Sequence, residues 1–251
     1  MRRRFFVDRF AGRRAVLQGD AAHHASRVLR VAPGQIYELS DGSAVWLARV
    51  ESAGGRAVEF SLLEQLPVAL PKLQTVLLLS IVKFDRFEWA LEKATELGVS
   101  EIVPLAAARS EKALVAAAAK RAARWQKILV EAAQQSRRVR APLLHPAESP
   151  VAAFRGTYLS PVSASSGDDV SAILLFFSEN KQAASLRTVL QNVPPARRAI
   201  LAIGPEGGWT EQERAEALRL NFAEVSLGLN ILRTETAVAS ALAVLNYALG
   251  E

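Results

Sequence analysis

Cysteine is absent from the 251 residues, histidine occurs three times and methionine once. Without thiols the chain has no disulfide and no thiolate metal site, and so few imidazoles leave a zinc centre short of ligands. No metal is expected. No apolar run approaches the roughly 18 residues that a membrane span needs. The basic start "MRRRFFVDRF" carries a run of only three apolar residues before Asp8, too few for a secretory signal. We expect no membrane association and a cytoplasmic location. Several catalytic signatures are missing as well. There is no G-x-x-x-x-G-K-[ST] phosphate loop, no G-x-S-x-G elbow and no H-E-x-x-H, and the glycines of "GPEGG" lack the G-x-G-x-x-G spacing.

Half of the residues are apolar, enough to bury the core of one large domain or two ordinary ones. The formal charge of +6 is modest, but 24 of the 31 basic residues are arginine. Arginine forks and stacks where lysine cannot, which suits phosphate and base recognition. Eight arginines fall in the first thirty residues against Asp8 and Asp20. That end of the chain is a candidate nucleic-acid surface, and solvated surface charge is the plainer alternative.

Residues 1 to about 66 read as short strands: "RRFFV", "RAVLQ", "QIYELS", "AVWLARVES" and "RAVEFSLLE", separated by Pro33-Gly34, Asp41-Gly42 and Gly54-Gly55 turns. One helical piece is predicted over Ala21–Val31, with His24, Val28 and Val31 on one face. Several strands and one helix argue for a small β-barrel. The two prolines of "LPVALPK" mark a linker, placing domains at 1–68 and 72–251.

Beyond the linker, strand and helix alternate. "TVLLLSIV" is a buried strand. Asp85 with Glu88 three residues on forms an acidic variant of a capping box, Phe87, Leu91, Ala94 and Leu97 make an apolar stripe, and Gly98 sits where a helix ends. "EIVPL" follows as a strand, then a long helix from about Ala113 to Ser136 whose apolar face holds Trp125, Ile128, Leu129 and Ala132. "ILLFFS", "AILAIG" and "AEVSLG" are further strands, each leading into a turn and a helix, and "SASSGDD" (163–169) reads as a polar loop. The class is α/β with a mostly parallel sheet covered on both faces.

Three of these strands end in unusual turns: Ser178-Glu179-Asn180, Gly204–Gly208, and Gly228 to Thr236. Ligands of open α/β sheets collect outside the carboxyl ends of parallel strands, so these turns describe a pocket wall. Tight connecting turns are the plainer reading. Thr210 and Glu213 already supply a capping box for the helix that follows, which leaves Glu206 without a structural task. Arg233 precedes a helix with Thr234 as N-cap and Glu235 in the first turn. A cation there opposes the helix dipole by a few tenths to about 1 kcal/mol, so it is expected to hold an anion or a polarised oxygen. A salt bridge to Glu235 or Glu206 is the alternative. The pair His23-His24 lies far in sequence from these turns and is read as RNA-facing or packing.

"LEKATELGVSEIVPL", "RWQKILVEAAQQSRR", "LAIGPEGGWTEQE" and "SLGLNILRTETA", with "HHASRVLRVAPGQ" nearer the N-terminus, closely resemble the ribosomal RNA small subunit methyltransferase E family of the SPOUT superfamily. The resemblance covers most of the chain. It implies a PUA-like RNA-binding β-barrel followed by an α/β domain with a deep trefoil knot, a homodimer, and methylation of uridine N3 in 16S ribosomal RNA of the small subunit from S-adenosylmethionine. By motif, the cofactor would be lined by Phe177, Ser178, Ile203, Gly204, Glu206, Gly208, Leu227, Gly228, Ile231, Leu232 and Thr234. Arg3, Arg4, Arg9, His24, Arg27 and Arg30 would face RNA. Leu229-Asn230 departs from the family pattern, in which a proline follows the glycine.

Uridine N3 carries a proton and is a poor nucleophile until that proton is lost, so the site needs a base and a group that stabilises the resulting anion. Arg233 is assigned the stabilisation and either Glu235 or Glu206 the base. Two rival readings remain open: ribose 2′-O-methylation on the same fold, and a noncatalytic rRNA-binding assembly factor.

Overall fold

The computed structural model describes residues 3–69, 71–156, 172–193 and 196–250, so the polar stretch 163–169 lies outside the described residues. The chain divides into two compact units, residues 1–70 with 130–141, and residues 71–129 with 142–251.

The first unit is a five-stranded curled sheet of the PUA-like type. β1 (Arg4–Phe6), β2 (Arg14–Gln18), β3 (Ile36–Ser40), β4 (Val45–Ala53) and β5 (Ala57–Leu66) take the order β1-β3-β4-β5-β2. All pairs are antiparallel except β1 with β3. The alternation in β2 puts Ala15 and Leu17 inside, where they join Phe5, Leu39, Val50 and Phe60. Asp41 closes the β3–β4 turn by accepting the backbone N–H groups of Ser43 and Ala44, beside Gly42 at φ +90°.

The helix expected over 21–31 is shorter and differently wound. α1 (Gly19–His23) passes into a π-helical turn, His24–Val28, closed by a Leu29 N–H to His24 carbonyl bond of 3.1 Å. An i→i+5 turn advances the face relative to an α-helix. Ala22 and Ala25 are therefore buried, Val31 is buried after the turn, and Val28 stands 62% exposed. His24 and Val28 do not share a buried face.

The second unit is built on a seven-stranded sheet. β6 (Gln74–Ser80), β7 (Glu101–Leu105), β8 (Leu143–Leu144), β9 (Ala172–Phe177), β10 (Ala184–Ser185), β11 (Arg198–Ile203) and β12 (Ala223–Ser226) are ordered β10-β12-β9-β11-β6-β7-β8, and every pair is parallel. All the carboxyl ends therefore lie along one edge. β6 and β11 are buried on both faces, which explains their continuous apolar sequences. One face carries Leu77, Leu79, Leu201 and Ile203 against the helices α2 (Phe84–Glu96), α3 (Lys112–Gln135) and α7 (Thr234–Leu249). The other face carries Val76, Leu78, Ile200 and Ala202 against Phe154, Ala217 and Phe222. Each large apolar side chain so enclosed contributes about 1.5–3 kcal/mol.

Phe87, Leu91 and Ala94 of α2 are buried, and Gly98 ends it at φ +91°. The cap differs from the sequence expectation. Lys83 is the N-cap without a side-chain bond, Asp85 lies in the first turn, and Glu88 is held by Arg124 at 2.7 Å from both carboxylate oxygens. Two arginine N–H donors outcompete one backbone amide for that carboxylate. Two short helices, α4 (Pro150–Ala153) and α5 (Leu186–Gln191), and α6 (Glu211–Arg219) complete the unit.

Candidate functional site

β12, β9 and β11 are neighbours, so parallel pairing brings the three unusual turns side by side at one edge of the sheet. Phe177 ends β9 and is buried, as is Ile203 at the end of β11. Ser178 Oγ accepts the Asn180 N–H at 2.9 Å, and the Ser178 N–H donates to the Val225 carbonyl. Glu224 fastens this turn from β12. It accepts from Asn180 Nδ2 at 3.3 Å and from the Arg214 guanidinium at 2.9 and 2.8 Å. The Arg214 fork, with Ser178 and Asn180 as donors, holds the Glu224 carboxyl below its usual range.

The Gly204–Gly208 turn is fixed by what surrounds it. Trp209 donates its indole N–H to the Phe177 carbonyl at 2.8 Å and lies 4.9 Å from the Phe176 ring centroid. A Cβ on Gly204 would meet that indole at 2.9 Å, so only glycine fits there. Gly208, at φ +68°, needs the left-handed conformation. Thr210 and Glu213 form the expected capping box for α6. Glu213 also takes the Ala108 N–H at 2.9 Å, and Arg109 donates to the Gly207 carbonyl at 2.9 Å. The loop after β7 thus braces the turn after β11.

At the start of α7, Arg233 is itself the N-cap and makes no side-chain cap bond. Thr234 is the first helical residue rather than the cap. It is buried, and its hydroxyl donates to the Gly204 carbonyl at 3.0 Å. As the first helical residue, Thr234 sits one position past the cap. Gly228 lies at φ +128°, Leu227 and Leu232 are half-buried, and Ile231 is 76% exposed. Gly228 to Leu232 make no hydrogen bond with one another among the described residues, which leaves their backbone groups available to a ligand.

The carboxylates near Arg233 do not pair with it. Arg86 forms an ion pair with Glu206 and lies 4.0 Å from Glu235 Oε1. Glu235 Oε2 is buried with no hydrogen-bond partner. Arg233 is exposed and has no ion pair among the described residues. Arg86 and Arg109 escaped the sequence reading, yet Arg86 carries the same signal as Arg233: a cation at the start of a helix, where the dipole disfavours it.

Of the expected RNA-facing residues, Arg9, Arg27 and Arg30 are exposed, and His24 is half-buried. Arg30 has a left-handed backbone, φ +52°. Arg3 is half-buried with an unpartnered Nε. Arg4 is a correction. It is buried on β1, and its guanidinium is forked onto Glu38 at 3.1 and 2.9 Å. Burying an arginine requires a fixed counter-charge, and a guanidinium so engaged cannot also face RNA.

Among the described residues no cluster of acidic or imidazole groups could hold a metal, and no helix is long and apolar enough to cross a membrane. The curled five-stranded sheet and the parallel sheet carry the sequences of an RNA methyltransferase with a PUA domain. Residues 69–246 match the RNA methyltransferase domain and residues 17–63 the RNA methyltransferase PUA domain. The ribosomal RNA small subunit methyltransferase E of Mycobacterium bovis is 32% identical, with 95% of this chain and 88% of that protein covered. That of Bacillus subtilis is 28% identical over 92% and 89%. A crystal structure of the Neisseria gonorrhoeae enzyme of that name, bound to S-adenosyl methionine, superposes with a TM-score of 0.84 at 31% identity, covering 100% of this chain and 99% of that one. A putative Legionella pneumophila methyltransferase in complex with SAM gives 0.83 at 27% identity, with the same coverage. The chain belongs to the ribosomal RNA small subunit methyltransferase E family.

Proposed function

We propose that this protein methylates N3 of a uridine in 16S ribosomal RNA, with S-adenosylmethionine as donor. The observation that carries this reading is the unpartnered, buried Glu235 Oε2 beside an unpaired Arg233, at the edge where three turns, two of them glycine-bearing, converge. A binding factor has no use for either feature.

The turns suit the cofactor. Free backbone groups over 228–232 and the exposed Leu229 and Ile231 offer an adenosine both polar and apolar contact. The proposed contacts are Phe177, Ser178, Ile203, Gly204, Glu206, Gly208, Leu227, Gly228, Ile231, Leu232 and Thr234. The bound donor supplies an electrophilic methyl group. Glu235 accepts the imide proton through its free oxygen, Arg233 stabilises the oxygens of the deprotonated base, and Glu206 holds Arg86 in place. Preorganised charge of this kind costs no rearrangement during reaction.

The first unit is proposed to bind RNA through Arg3, Arg9, Arg27 and Arg30, with 1–68 as that module and 72–251 as the catalytic one. The chain passes from β9 to the far edge at β10, back to β11, and again beyond β9 to β12, which supports a trefoil knot at the carboxyl end. Exposed Tyr247 and Val244 on α7 and Trp89 on α2 support a homodimer. The setting proposed is the cytoplasm, on small-subunit particles.

The test is labelled methyl transfer to unmethylated small subunits, beside free 16S RNA, with nucleoside analysis. Label in 3-methyluridine supports the reading. Label in a ribose-methylated nucleoside, or none with either substrate, overturns it.

A further inference from the structure

The turn after β11 has two flanks. The proposed cofactor contacts other than Glu206 lie at the end of β11 and toward β9 and β12. On the other side, β6 and β11 are neighbours whose onward connections part: β6 leads through α2 to β7, and β11 leads through α6 to β12 beyond β9. This is a topological switch point, where open sheets of this class hold ligands. A cleft of about 150 Å³ opens there, lined by Lys83 after β6, by Arg109, Ser110 and Glu111 after β7, and by Glu206 and Gly207. That space is below the roughly 300–1,000 Å³ of drug-sized ligand sites, and suits one small anionic group.

Its chemistry is that of an anion site. Lys83 is exposed and has no ion pair among the described residues. Arg109 spends one N–H on Gly207 and keeps the others. Both sit beside helix N-termini, α2 with Lys83 as an unbonded cap and the 24-residue α3, whose partial positive charge they reinforce. Of the acids, Glu206 is neutralised by Arg86 and Glu111 is exposed at the rim. The independent sign of a ligand is Ser110. It is only 7% exposed, lines the cleft, and its Oγ has no partner. A buried hydroxyl without a partner is costly, and a ligand oxygen would satisfy it.

We propose that this cleft binds a phosphodiester of the RNA, next to the nucleotide that receives the methyl group, through Lys83, Arg109 and the Ser110 hydroxyl. The proposal rests on the reading of the protein as an RNA enzyme and adds where its catalytic unit grips the substrate backbone.

The test uses the full chain and a single-stranded RNA oligonucleotide from the small-subunit rRNA. RNA affinity is measured against salt by fluorescence anisotropy, with S-adenosylmethionine titration and thermal melting alongside. Lys83→Ala should weaken RNA binding about 5–10-fold at low salt and flatten the log–log salt slope by about 0.7, the share of one phosphate contact on a single strand. Ser110→Ala should weaken RNA binding about 3–10-fold while its melting temperature holds or rises, because the lost hydroxyl has no partner in the free protein. Cofactor affinity should stay within twofold in both. Unchanged RNA affinity and slope overturn the proposal, and so does a Ser110→Ala protein that melts earlier. A loss of cofactor affinity in step would assign the cleft to the cofactor's carboxylate instead. Wild-type protein that binds RNA but transfers no methyl group would overturn the enzymatic reading while leaving this site testable by binding.

Discussion

The Thr234 hydroxyl donates to the Gly204 carbonyl at 3.0 Å, so the last helix hangs from the end of β11 by its first residue. Residues 30 apart in sequence, one in each of the two turns singled out by their composition, are thereby locked in register. Thr234→Val keeps the shape and removes the bond. It should cost about 1–2 kcal/mol of stability and weaken cofactor binding several-fold, read by thermal melting and titration calorimetry.

Gly204→Ala places a Cβ 2.9 Å from an indole that is pinned to Phe177 and packed on Phe176. The ring has nowhere to retreat. A loss of about 1–3 kcal/mol is expected, together with cofactor affinity, and denaturant titration would measure it.

Arg233→Ala should lower turnover by about 10²–10³-fold, the usual effect of removing one donor to a developing oxyanion. Cofactor affinity should remain within twofold. Stability should hold or rise by a few tenths of a kcal/mol, since the arginine opposes the helix dipole. Single-turnover kinetics beside melting separates this outcome from general damage.

Glu224 ties β12 to the Ser178–Asn180 turn, and its carboxyl is held below the ordinary carboxylate range by Arg214. A depressed folded value means the native state binds fewer protons than the unfolded one. This contribution is therefore complete above about pH 4.3, the free glutamate value, and is lost as pH falls through the folded value. Glu224→Gln should remove about 1–2 kcal/mol at neutral pH and flatten the acid limb of the stability curve, seen in urea titrations between pH 3 and 7.

Arg30 adopts φ +52°, a region that costs a side chain about 1–2 kcal/mol. Arg30→Gly should hold or raise the melting temperature while weakening RNA binding and lowering its salt dependence. Unchanged RNA binding would remove Arg30 from the RNA surface.

Much of the fold was legible because burial writes periodicity into the sequence. The β2 strand and the ends of α3 stand within a residue or two of their expected places, and Gly98 stops α2 as its position foretold. The helix over 21–31 was misread because a π turn changes the winding without changing the composition. Thr234 departs from its expected place for a related reason: a threonine at a helix start is a cap by local rules, but the helix begins at Thr234 itself with Arg233 as the cap, and the Thr234 hydroxyl donates to the distant Gly204 carbonyl.

Glycine turns at the ends of apolar strands, and cations set against a helix dipole, are local choices, and these the sequence alone determined. Which carboxylate meets which arginine was decided only by the tertiary structure. Arg86 lies 120 residues from Glu206 and 149 from Glu235 in the chain, and only parallel pairing of β6 with β11 sets them side by side. Ion pairs form over a few ångströms of space, and sequence distance carries no information about that separation until the sheet is ordered.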